Sequence, residues 1–493
     1  MIVYREQKRL VRTRDAIAVA EAASGFERLM AWGEIEAALA DALCPERDDD
    51  LAIQPRHCDA FAEIEISVPE GFAYYALDPE LYRIAARRFL EDARPARVAV
   101  IGIRSIGTTL AAVVESELRA RGVAAESWTV RPRGHPWNRE LRITDRLARR
   151  WREWPGWFAI VDEGPGLSGS SFASVAECLS GLGVPDERIV FLPSWQTDGS
   201  GFVSETARRR WQRHRRYTAD FEELGLFPGA RELSAGRWRE MCGTWPAVQP
   251  QHERRKYLCG DRLFKFAGYG RYGREKLERA HRLSAFTTPA LGFENGFLEM
   301  RWVPGRPARL CPGLIQRAAE YLAFLRREFR TGEPADTGPL AEMIACNTGE
   351  PWPGPLPEEE AVVLDGRMLP HEWIETADGF HKTDALDHHD DHFFPGPHDI
   401  AWDVAAFAAE TSAGEAFVEH YRSQSGDHEI AARLPFYRAA YLAFRLGYAD
   451  LAVRALAGTE EAARFDRERA RYCRALDARG NGECPTTRSR LSA

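Results

Sequence analysis

Two adjacent carboxylates, Asp162 and Glu163, are the residues most typical of a binding site. They follow an apolar run, 158–161, and precede a Gly- and Ser-rich segment, 164–171, that leads into a helical pattern at 173–182. N–H groups at the start of a helix attract phosphate, and carboxylates can accept hydrogen bonds from sugar hydroxyls. The P-loop Lys and the dinucleotide glycine spacing are missing from this segment. The pattern therefore indicates a sugar-phosphate site, with an ordinary strand–loop–helix crossover as the alternative.

This strand, its acids and its loop resemble the signature of type I phosphoribosyltransferases. The resemblance implies that Asp162 and Glu163 bind the ribose hydroxyls of phosphoribosyl diphosphate (PRPP). It also implies that the loop holds the 5-phosphate of PRPP through Gly166, Ser168, Gly169, Ser170 and Ser171. The loop is one residue longer than is usual in that family.

Two upstream segments match the order of loops in the same family. An apolar strand, 97–102, precedes the position where the family binds pyrophosphate, which here holds Arg104, Ser105, Ile106, Gly107 and Thr108. Arg104 can bind an anion through two parallel N–H donors. A basic segment, 131–142, lies where the family has a mobile lid. The resemblance assigns to catalysis Asp162, Glu163, Arg104, Arg131 and Arg133.

A second resemblance begins after about residue 216. A hairpin pattern at 254–267 and a helical pattern at 274–283 precede an apolar strand at 296–303. This order resembles the small lobe of the aminoglycoside-phosphotransferase and choline-kinase class of protein-kinase-like folds. The resemblance implies that Lys265 binds ATP phosphates and that Glu278, or else Glu275, is its ion-pair partner on the helix.

The carboxyl half extends the kinase-like resemblance. The class has a metal-binding Asp after a strand, and Asp384 occupies that position. When the segment 365–374 is laid on the catalytic loop of the class, Glu372 replaces the metal-binding Asn. The resemblance therefore implies Mg²⁺ bound by Asp384 and Glu372, whereas Asp399 and Asp403 are interpreted as structural.

The same alignment puts Arg367 where the catalytic Asp of the class belongs. An Arg stays charged and cannot take a proton from an acceptor hydroxyl. Either another residue acts as the base, with Asp387, Asp390 and Asp391 as candidates, or this domain binds nucleotide without transferring phosphate. The run 387–392 also has the residue types of a metal cluster. A solvated acidic loop with incidental histidines is the alternative.

Composition restricts the class of protein and its partners. The chain is 28% charged and 44% apolar, which is typical of a soluble globular protein, and its net charge of −8 argues against nonspecific binding to nucleic acid or an acidic membrane. No apolar run predicts a signal peptide or a membrane span. Nine scattered cysteines without a Cys-x-x-Cys pair fit a reducing cytoplasm. We therefore expect a cytoplasmic protein with small-molecule substrates and without nucleic-acid or membrane partners.

A length of 493 residues is too great for a single core and predicts several domains. The predicted class is α/β, with a phosphoribosyltransferase-like parallel-sheet domain followed by a bilobal kinase-like α+β domain. The predicted boundaries are a helical segment at 1–60, the parallel-sheet domain at 61–215, a small lobe at 216–305, a large lobe at 306–480 and a flexible tail at 481–493. The oligomeric state stays open, with a homodimer among the options because dimers are common in the first family.

Together these resemblances imply PRPP-dependent phosphoribosyl transfer to a small-molecule acceptor, coupled to a kinase-like module that phosphorylates or receives the product. Mg²⁺ is the expected cofactor, PRPP the expected substrate and ATP a candidate ligand. Three alternatives stay open: a PRPP- or nucleotide-sensing regulator, a small-molecule phosphotransferase whose first domain delivers substrate, and a nucleotide hydrolase. The sequence does not identify the acceptor.

Overall fold

The computed structural model describes residues 8–11, 64–67, 69–104, 106–166, 168–202, 204–243, 245–391, 394 and 396–477. They form two compact units. The first contains the described residues of Lys8–Gly229 and Gly268–Gly273, and the second those of Ala230–Ala267 and of the chain after residue 273. The expected tail at 481–493 lies outside the described residues. So does the expected helical segment at 1–60, apart from strand β1 (Lys8–Val11), which pairs antiparallel with β2 (Ile64–Ser67).

A five-stranded parallel sheet is the centre of the first unit. In chain order its strands are β3 (Arg97–Ile103), β4 (Ala124–Val130), β7 (Trp157–Val161), β8 (Ile189–Leu192) and β9 (Arg215–Arg216). Their spatial order is β4-β3-β7-β8-β9, with every pair parallel. The runs of Val, Ile and Phe in β3, β7 and β8 are buried, as expected for parallel strands covered on both faces. The predicted α/β class with a parallel sheet is confirmed.

A short antiparallel hairpin follows β4. It consists of β5 (Arg133–His135) and β6 (Asn138–Glu140), whose residues are all exposed. This hairpin occupies the basic segment that the sequence places in a lid. No apolar side chain of the two strands is buried, so the hairpin adds nothing to the hydrophobic core.

Among the described residues of this unit, six helices accompany the parallel sheet. They are α1 (Glu70–Ala73), α2 (Pro79–Ala93), α3 (Ile106–Ala120), α4 (Asp145–Arg152), α5 (Ser170–Gly181) and α6 (Glu205–Arg213). Side-chain oxygens cap three of them, because Asp78, Thr144 and Ser204 each accept a hydrogen bond from a backbone N–H in the first turn. The order of strands and helices brings the loops after β3 and β7 to the same edge of the sheet.

An antiparallel sheet opens the second unit. Its strands are β10 (Arg231–Glu232), β11 (Lys256–Cys259), β12 (Arg262–Phe266), β13 (Ala290–Glu294) and β14 (Phe297–Arg301), in the spatial order β10-β11-β12-β14-β13. Helix α7 (Arg239–Cys242) lies in the long connection from β10 to β11, and α8 (Arg271–Arg282) follows β12.

The remainder of this unit is mostly helical. Its helices are α9 (Pro312–Glu328), α10 (Gly338–Thr348), α11 (Ala401–Glu410), α12 (Gly414–Ser425), α13 (Ile430–Ala455) and α14 (Glu460–Asp477). Two small sheets complete it: β15 (Arg306–Pro307) with β18 (Trp373–Thr376) and β19 (Gly379–Lys382), and β16 (Arg330–Pro334) with β17 (Glu360–Val362). Large buried aromatic side chains form much of the core, among them Tyr321, Trp373, Trp402, Tyr437 and Tyr441.

Candidate functional site

Lys265 of β12 is the cation around which the candidate site of the second unit is built. Its Nζ lies 2.5 Å from an oxygen of Asp384, a residue 119 positions further along the chain, and it also contacts Asp387. Burial alone would lower the pKa of Lys265, but these carboxylates raise that pKa above its ordinary value. The structure thus brings together the lysine and the aspartate that the sequence assigned to ATP and to metal.

Asp387 holds two further cations beside this pair. Its Oδ1 lies 3.4 Å from Nζ of Lys276 and 3.8 Å from Nε of Arg254. Burial would raise the pKa of Asp387, but Lys265, Lys276 and Arg254 together bring it well below its usual range. The pKa of Asp384 is lowered too, because Lys265 and the other cations outweigh its burial. Both aspartates are therefore ionised and able to bind a cation.

Glu278, the expected partner of Lys265, is exposed on helix α8. The buried face of this helix instead carries Lys276 and Arg279. Arg279 donates to the carbonyl oxygens of Leu364 and Ala385, at 2.8 and 3.0 Å, and so binds the helix to the segments on both sides of the site. Because Glu275 is exposed as well, the helix directs its cations and not its acids toward Asp387. The ion partners of Lys265 are therefore Asp384 and Asp387 in place of the expected glutamate.

A second lysine, Lys382 at the end of β19, lies next to Asp384. Its Nζ is 2.8 Å from Oε2 of Glu372 and 3.3 Å from Oδ2 of Asp365, and it donates to the carbonyl oxygen of Asp384. Burial would lower the pKa of Lys382, but Asp365 and Glu372 raise it. Neither Lys382 nor Asp365 was among the residues predicted from the sequence. A lysine only two residues before a candidate metal ligand was the signal that could have drawn attention to it.

Asp403 holds the turn that contains Arg367 in place. The Asp403 carboxylate accepts hydrogen bonds from the backbone N–H groups of Asp365 and Gly366, at 2.7 and 2.9 Å. The indole N–H of Trp402 donates to the carbonyl oxygen of Gly366 at 3.1 Å. A buried carboxylate with two amide donors is a strong positioning device. These contacts are consistent with the structural role expected for Asp403, and Asp399 likewise pairs with a buried arginine, Arg433.

Arg367 itself lies beside an acid and an aromatic ring. Its guanidinium is 3.8 Å from Asp391 and 5.1 Å from the ring centroid of Tyr448. His388 completes this side of the site, with Nε2 3.6 Å from Asp384 and Nδ1 3.9 Å from Glu372. Ligand atoms of Asp365, Glu372 and His388 lie within 4.8 Å of one another. His392, the last residue of the proposed metal cluster, lies outside the described residues.

The connection from β10 to β11, residues 233–255, covers the turn of the site, and we call it the strap. The indole of Trp238 in the strap stacks on His371, and its Nε1 donates to Glu253 at 2.9 Å. At the other side, Arg239 forms an ion pair with Glu461 of α14 at 2.8 Å. No residue of the strap was among the site residues predicted from the sequence. Thr244 of the strap lies outside the described residues.

The first unit carries the other predicted site. Asp162 and Glu163 follow the central strand β7, and the hydroxyl of Tyr82 donates to the Asp162 carbonyl oxygen at 2.7 Å. Burial raises the pKa of Asp162 to about 7. Burial also raises the pKa of Glu163 to about 8, with Glu70 and Asp162 adding to the shift. Each acid therefore holds its proton more tightly than an exposed carboxyl does.

The loop after β3 lies against these acids. A Cβ on Gly107 would come within 2.7 Å of the Val161 carbonyl oxygen and 3.3 Å of Oδ1 of Asp162, so only glycine allows this approach. Ile106 and Thr108 are buried in the first turn of α3. Arg104 is exposed and donates through Nε to the Thr129 hydroxyl at 2.9 Å. Ser105 lies outside the described residues.

The loop after the two acids ends against the hairpin. Gly169 has a φ of 62° and caps α5, and a Cβ there would meet the Phe202 ring at 2.6 Å. The Ser170 hydroxyl donates to the Pro136 carbonyl oxygen at 2.5 Å and lies 3.0 Å from the Ser168 hydroxyl. Arg139 donates to the Ser171 hydroxyl at 2.8 Å. The serines thus contact one another and the hairpin, whereas Gly166 in the same loop is exposed.

A groove of about 460 Å³ lies beside this loop, between the hairpin and α5. Its lining includes Trp137, Arg139, Ser174, Glu177 and Arg209. Arg131 and Arg133 are exposed near the base of the hairpin and are not among the lining residues, and neither are Asp162 and Glu163. The structure therefore gathers the two acids and Gly107 at one place, with the basic residues of the hairpin on its exposed strands.

No protein-family model and no curated protein matches this chain. Several solved structures resemble about half of it. They include a choline/ethanolamine kinase family protein from Mesorhizobium loti (17% identity, 45% of this chain and 84% of that one, TM-score 0.31). A choline kinase, LicA, from Streptococcus pneumoniae is 11% identical over 51% of this chain and 95% of its own, with a TM-score of 0.30.

The structure of a GDP complex of aminoglycoside 2'-phosphotransferase-IIIa is similar to the same extent. It is 13% identical and covers 46% of this chain and 92% of its own, with a TM-score of 0.30. Each of these likenesses covers about half of this chain. No helix among the described residues has the length and apolar character needed to cross a membrane.

Proposed function

We propose that the second unit is a nucleotide-dependent phosphotransferase acting on a small molecule. The observation that carries this proposal is the contact of Lys265 with Asp384, because a strand lysine and a post-strand aspartate come from distant parts of the chain to one place. In this proposal Lys265 binds nucleotide phosphate oxygens, and Asp384 holds the accompanying cation. When no nucleotide is bound, Asp384 and Asp387 balance the charge of Lys265.

The residues around Asp384 fit a Mg²⁺ ion. Mg²⁺ prefers oxygen ligands, and the Asp384 carboxylate is ionised because Lys265 lowers its pKa despite burial. When bound, Mg²⁺ would neutralise charge on the nucleotide phosphates.

Arg367 contributes positive charge to the proposed reaction. Phosphoryl transfer depends mostly on positioning and on charge stabilisation, so a site can favour it without a strong base. The Asp403 carboxylate fixes the turn that presents Arg367, through the amides of Asp365 and Gly366. The Asp391 carboxylate lies 3.8 Å from the Arg367 guanidinium and is its ion partner. We propose Asp391 as the proton acceptor.

Calorimetric titration of ATP with Mg²⁺ tests this proposal. We expect Lys265→Ala and Asp384→Asn each to weaken binding about 10- to 100-fold, as the loss of a charge-assisted contact implies. Glu278→Gln is the matched control, since Glu278 is exposed on the neighbouring helix and should leave binding unchanged. Equal ATP affinity in wild type and Lys265→Ala would refute the assignment. ATP binding without phosphate transfer to any acceptor in a panel of small alcohols and amines would support a nucleotide sensor instead.

For the first unit we propose a second function, PRPP binding with phosphoribosyl transfer. This proposal is supported by the position of Asp162 and Glu163 at the end of a central parallel strand, beside the backbone of Gly107. In the proposal the acids accept hydrogen bonds from the ribose hydroxyls. Gly166 and residues 168–171 face the 5-phosphate, and Arg104, Arg131 and Arg133 neutralise the pyrophosphate that leaves.

Titration with PRPP and Mg²⁺ tests the second function. Asp162→Asn and Glu163→Gln should each weaken PRPP binding by about tenfold or more. Glu153→Gln, an exposed acid of the same unit, is the control. Pyrophosphate release that requires an added acceptor would support transfer. Release of a free base from a nucleotide without pyrophosphate would support hydrolysis, and an absence of PRPP binding would refute this function.

A further inference from the structure

Lys382 occupies a place among groups that otherwise suit a metal ion. Asp365, Glu372 and His388 bring ligand atoms within 4.8 Å of one another, and both carboxylates and imidazoles are common metal ligands. Yet the Lys382 ammonium already lies 2.8 Å from the Glu372 carboxylate and 3.3 Å from that of Asp365. The oxygens that a cation would bind therefore already face a positive charge.

The burial of Lys382 keeps its ammonium paired with Asp365 and Glu372. The side chains of Lys382 and Asp365 are 0% exposed, and that of Glu372 is 7% exposed. An ammonium without water is costly unless acceptors surround it, and removal of one partner from such a group is strongly destabilising. Here the carbonyl oxygen of Asp384 supplies a third acceptor. If the Lys382 side chain rotated into solvent, it would leave Asp365 and Glu372 buried without their cation.

The residues next to Lys382 supply the negative charge that a buried ammonium needs. Glu372 lies where the kinase-like alignment has a neutral Asn that binds metal, and a glutamate at this position supplies the negative charge that an ammonium needs. Asp384, by contrast, contacts Lys382 only through its backbone carbonyl oxygen. Lys265 contacts Oδ1 of Asp384, whereas Oδ2 faces Nε2 of His388 at 3.6 Å, so Oδ2 is the oxygen that a metal ion can bind. The two acidic positions of the site therefore differ in what they can bind.

We propose that the Lys382 ammonium fills one of the two metal positions of kinase-like phosphoryl transfer, where it neutralises Asp365 and Glu372, so that the nucleotide is bound with a single exchangeable metal ion at Asp384. This inference rests on the proposed phosphotransferase function for its nucleotide but not for its metal count. Lys382 is a positioning residue in this scheme. Its charge orients Glu372 and the Asp384 backbone and does not touch the reacting atoms.

Electron paramagnetic resonance with Mn²⁺ counts the metal ions directly. In the presence of a non-hydrolysable ATP analogue we expect one bound Mn²⁺ per chain in wild type and two in Lys382→Ala. With Mn²⁺ alone, Lys382→Ala should bind an additional ion. We expect its affinity at the Lys382 position to exceed that of wild type by about tenfold or more, a change typical of residues around metal ligands. Arg309→Ala is the control, because Arg309 is an exposed cation of the same unit and its removal should leave the number of bound Mn²⁺ ions unchanged.

Two further variants protect the test against misfolding. Lys382→Arg retains the positive charge and should bind no additional Mn²⁺. Lys382→Ala/Glu372→Asn removes the ammonium together with its counter-charge and should gain the second ion. Two Mn²⁺ ions in wild type, or no gain in a folded variant that lacks the ammonium, would overturn the inference. Absence of nucleotide binding in wild type would refute the phosphotransferase proposal alone, since the gain with Mn²⁺ by itself would still be measured.

Discussion

The indole of Trp238 stacks on the imidazole of His371, with ring centroids 5.6 Å apart and ring planes 16° apart. His371 belongs to the segment that follows Arg367, and Trp238 belongs to the strap. The same indole donates to Glu253, which also accepts from the backbone N–H of Gly236 at 2.8 Å. The stacked pair therefore holds the strap against the turn of the candidate phosphotransferase site.

Removal of this stacking should make the site easier to enter. An aromatic pair contributes about 0.5–1.5 kcal/mol, so Trp238→Ala should accelerate association of a fluorescent ATP analogue roughly two- to tenfold. Stopped-flow fluorescence measures this rate. Trp195→Ala, an exposed tryptophan of the other unit, is the control and should not change it. A slower or unchanged association in Trp238→Ala would show that the strap does not limit entry.

Gly107→Ala should disturb the acids of the first unit. The new Cβ would lie 2.7 Å from the carbonyl oxygen of Val161, and such overpacking costs about 1–3 kcal/mol of unfolding free energy. We expect weaker PRPP binding and a lower urea midpoint. Gly181→Ala is the matched control, since no atom lies within 4 Å of its added Cβ and alanine favours a helix by about 1 kcal/mol. Equal stability of the two variants would contradict this reading of the Gly107 contact.

The raised pKa of Glu163 predicts that the stability of the protein depends on pH. Burial raises its pKa from 4.5 to about 8 in the folded protein, so the folded state retains a proton that the unfolded state has lost. This contribution to stability is complete below pH 4.5 and is lost as the pH rises toward 8. Glu163→Gln should therefore unfold like wild type at pH 4 and become progressively more stable than wild type up to pH 8. Chemical denaturation across this range measures the difference, and parallel profiles would contradict the prediction.

Arg367→Ala should reduce turnover and leave nucleotide affinity nearly unchanged. The guanidinium is proposed to act on charge that develops during transfer, and the loss of such a group lowers kcat roughly a hundredfold. Arg367→Lys should retain part of the activity because it retains the charge. Steady-state kinetics separates kcat from KM, with exposed Arg309→Ala as the control. An unchanged kcat would remove Arg367 from the mechanism.

The sequence predicted the parallel sheet because a buried parallel strand leaves a local signal, whereas the roles expected for Lys265 and Asp384 came from the kinase-like resemblance and not from any local pattern. The apolar runs of β3 and β7 strongly favour strands buried in a sheet. The residues that lie at the ends of these strands follow from where the runs end. The partner of Lys265 depended instead on which face of α8 is buried. Tyr272, Lys276 and Ala280 are spaced four residues apart and are all buried, so this signal was present but was not used.

Other parts of the candidate site were beyond local signals. The strap reaches His371 and Glu461 through contacts between residues far apart in the chain, and neither polar spacing nor propensity encodes them. The burial of Lys382 is similar, because a lysine at a strand end is usually exposed. Only the surrounding acids, Asp365 and Glu372, make its burial favourable.

The ion pairs of Lys382 have a consequence for the response of the protein to its ionic surroundings. An ammonium that is part of the chain cannot be chelated, exchanged or diluted, and its occupancy is complete at any salt composition. If only one metal ion is exchangeable, activity should rise with the first power of free magnesium at low concentration, not with its square. The rate would then vary less when magnesium fluctuates, because one of the two cations at the metal positions is part of the polypeptide.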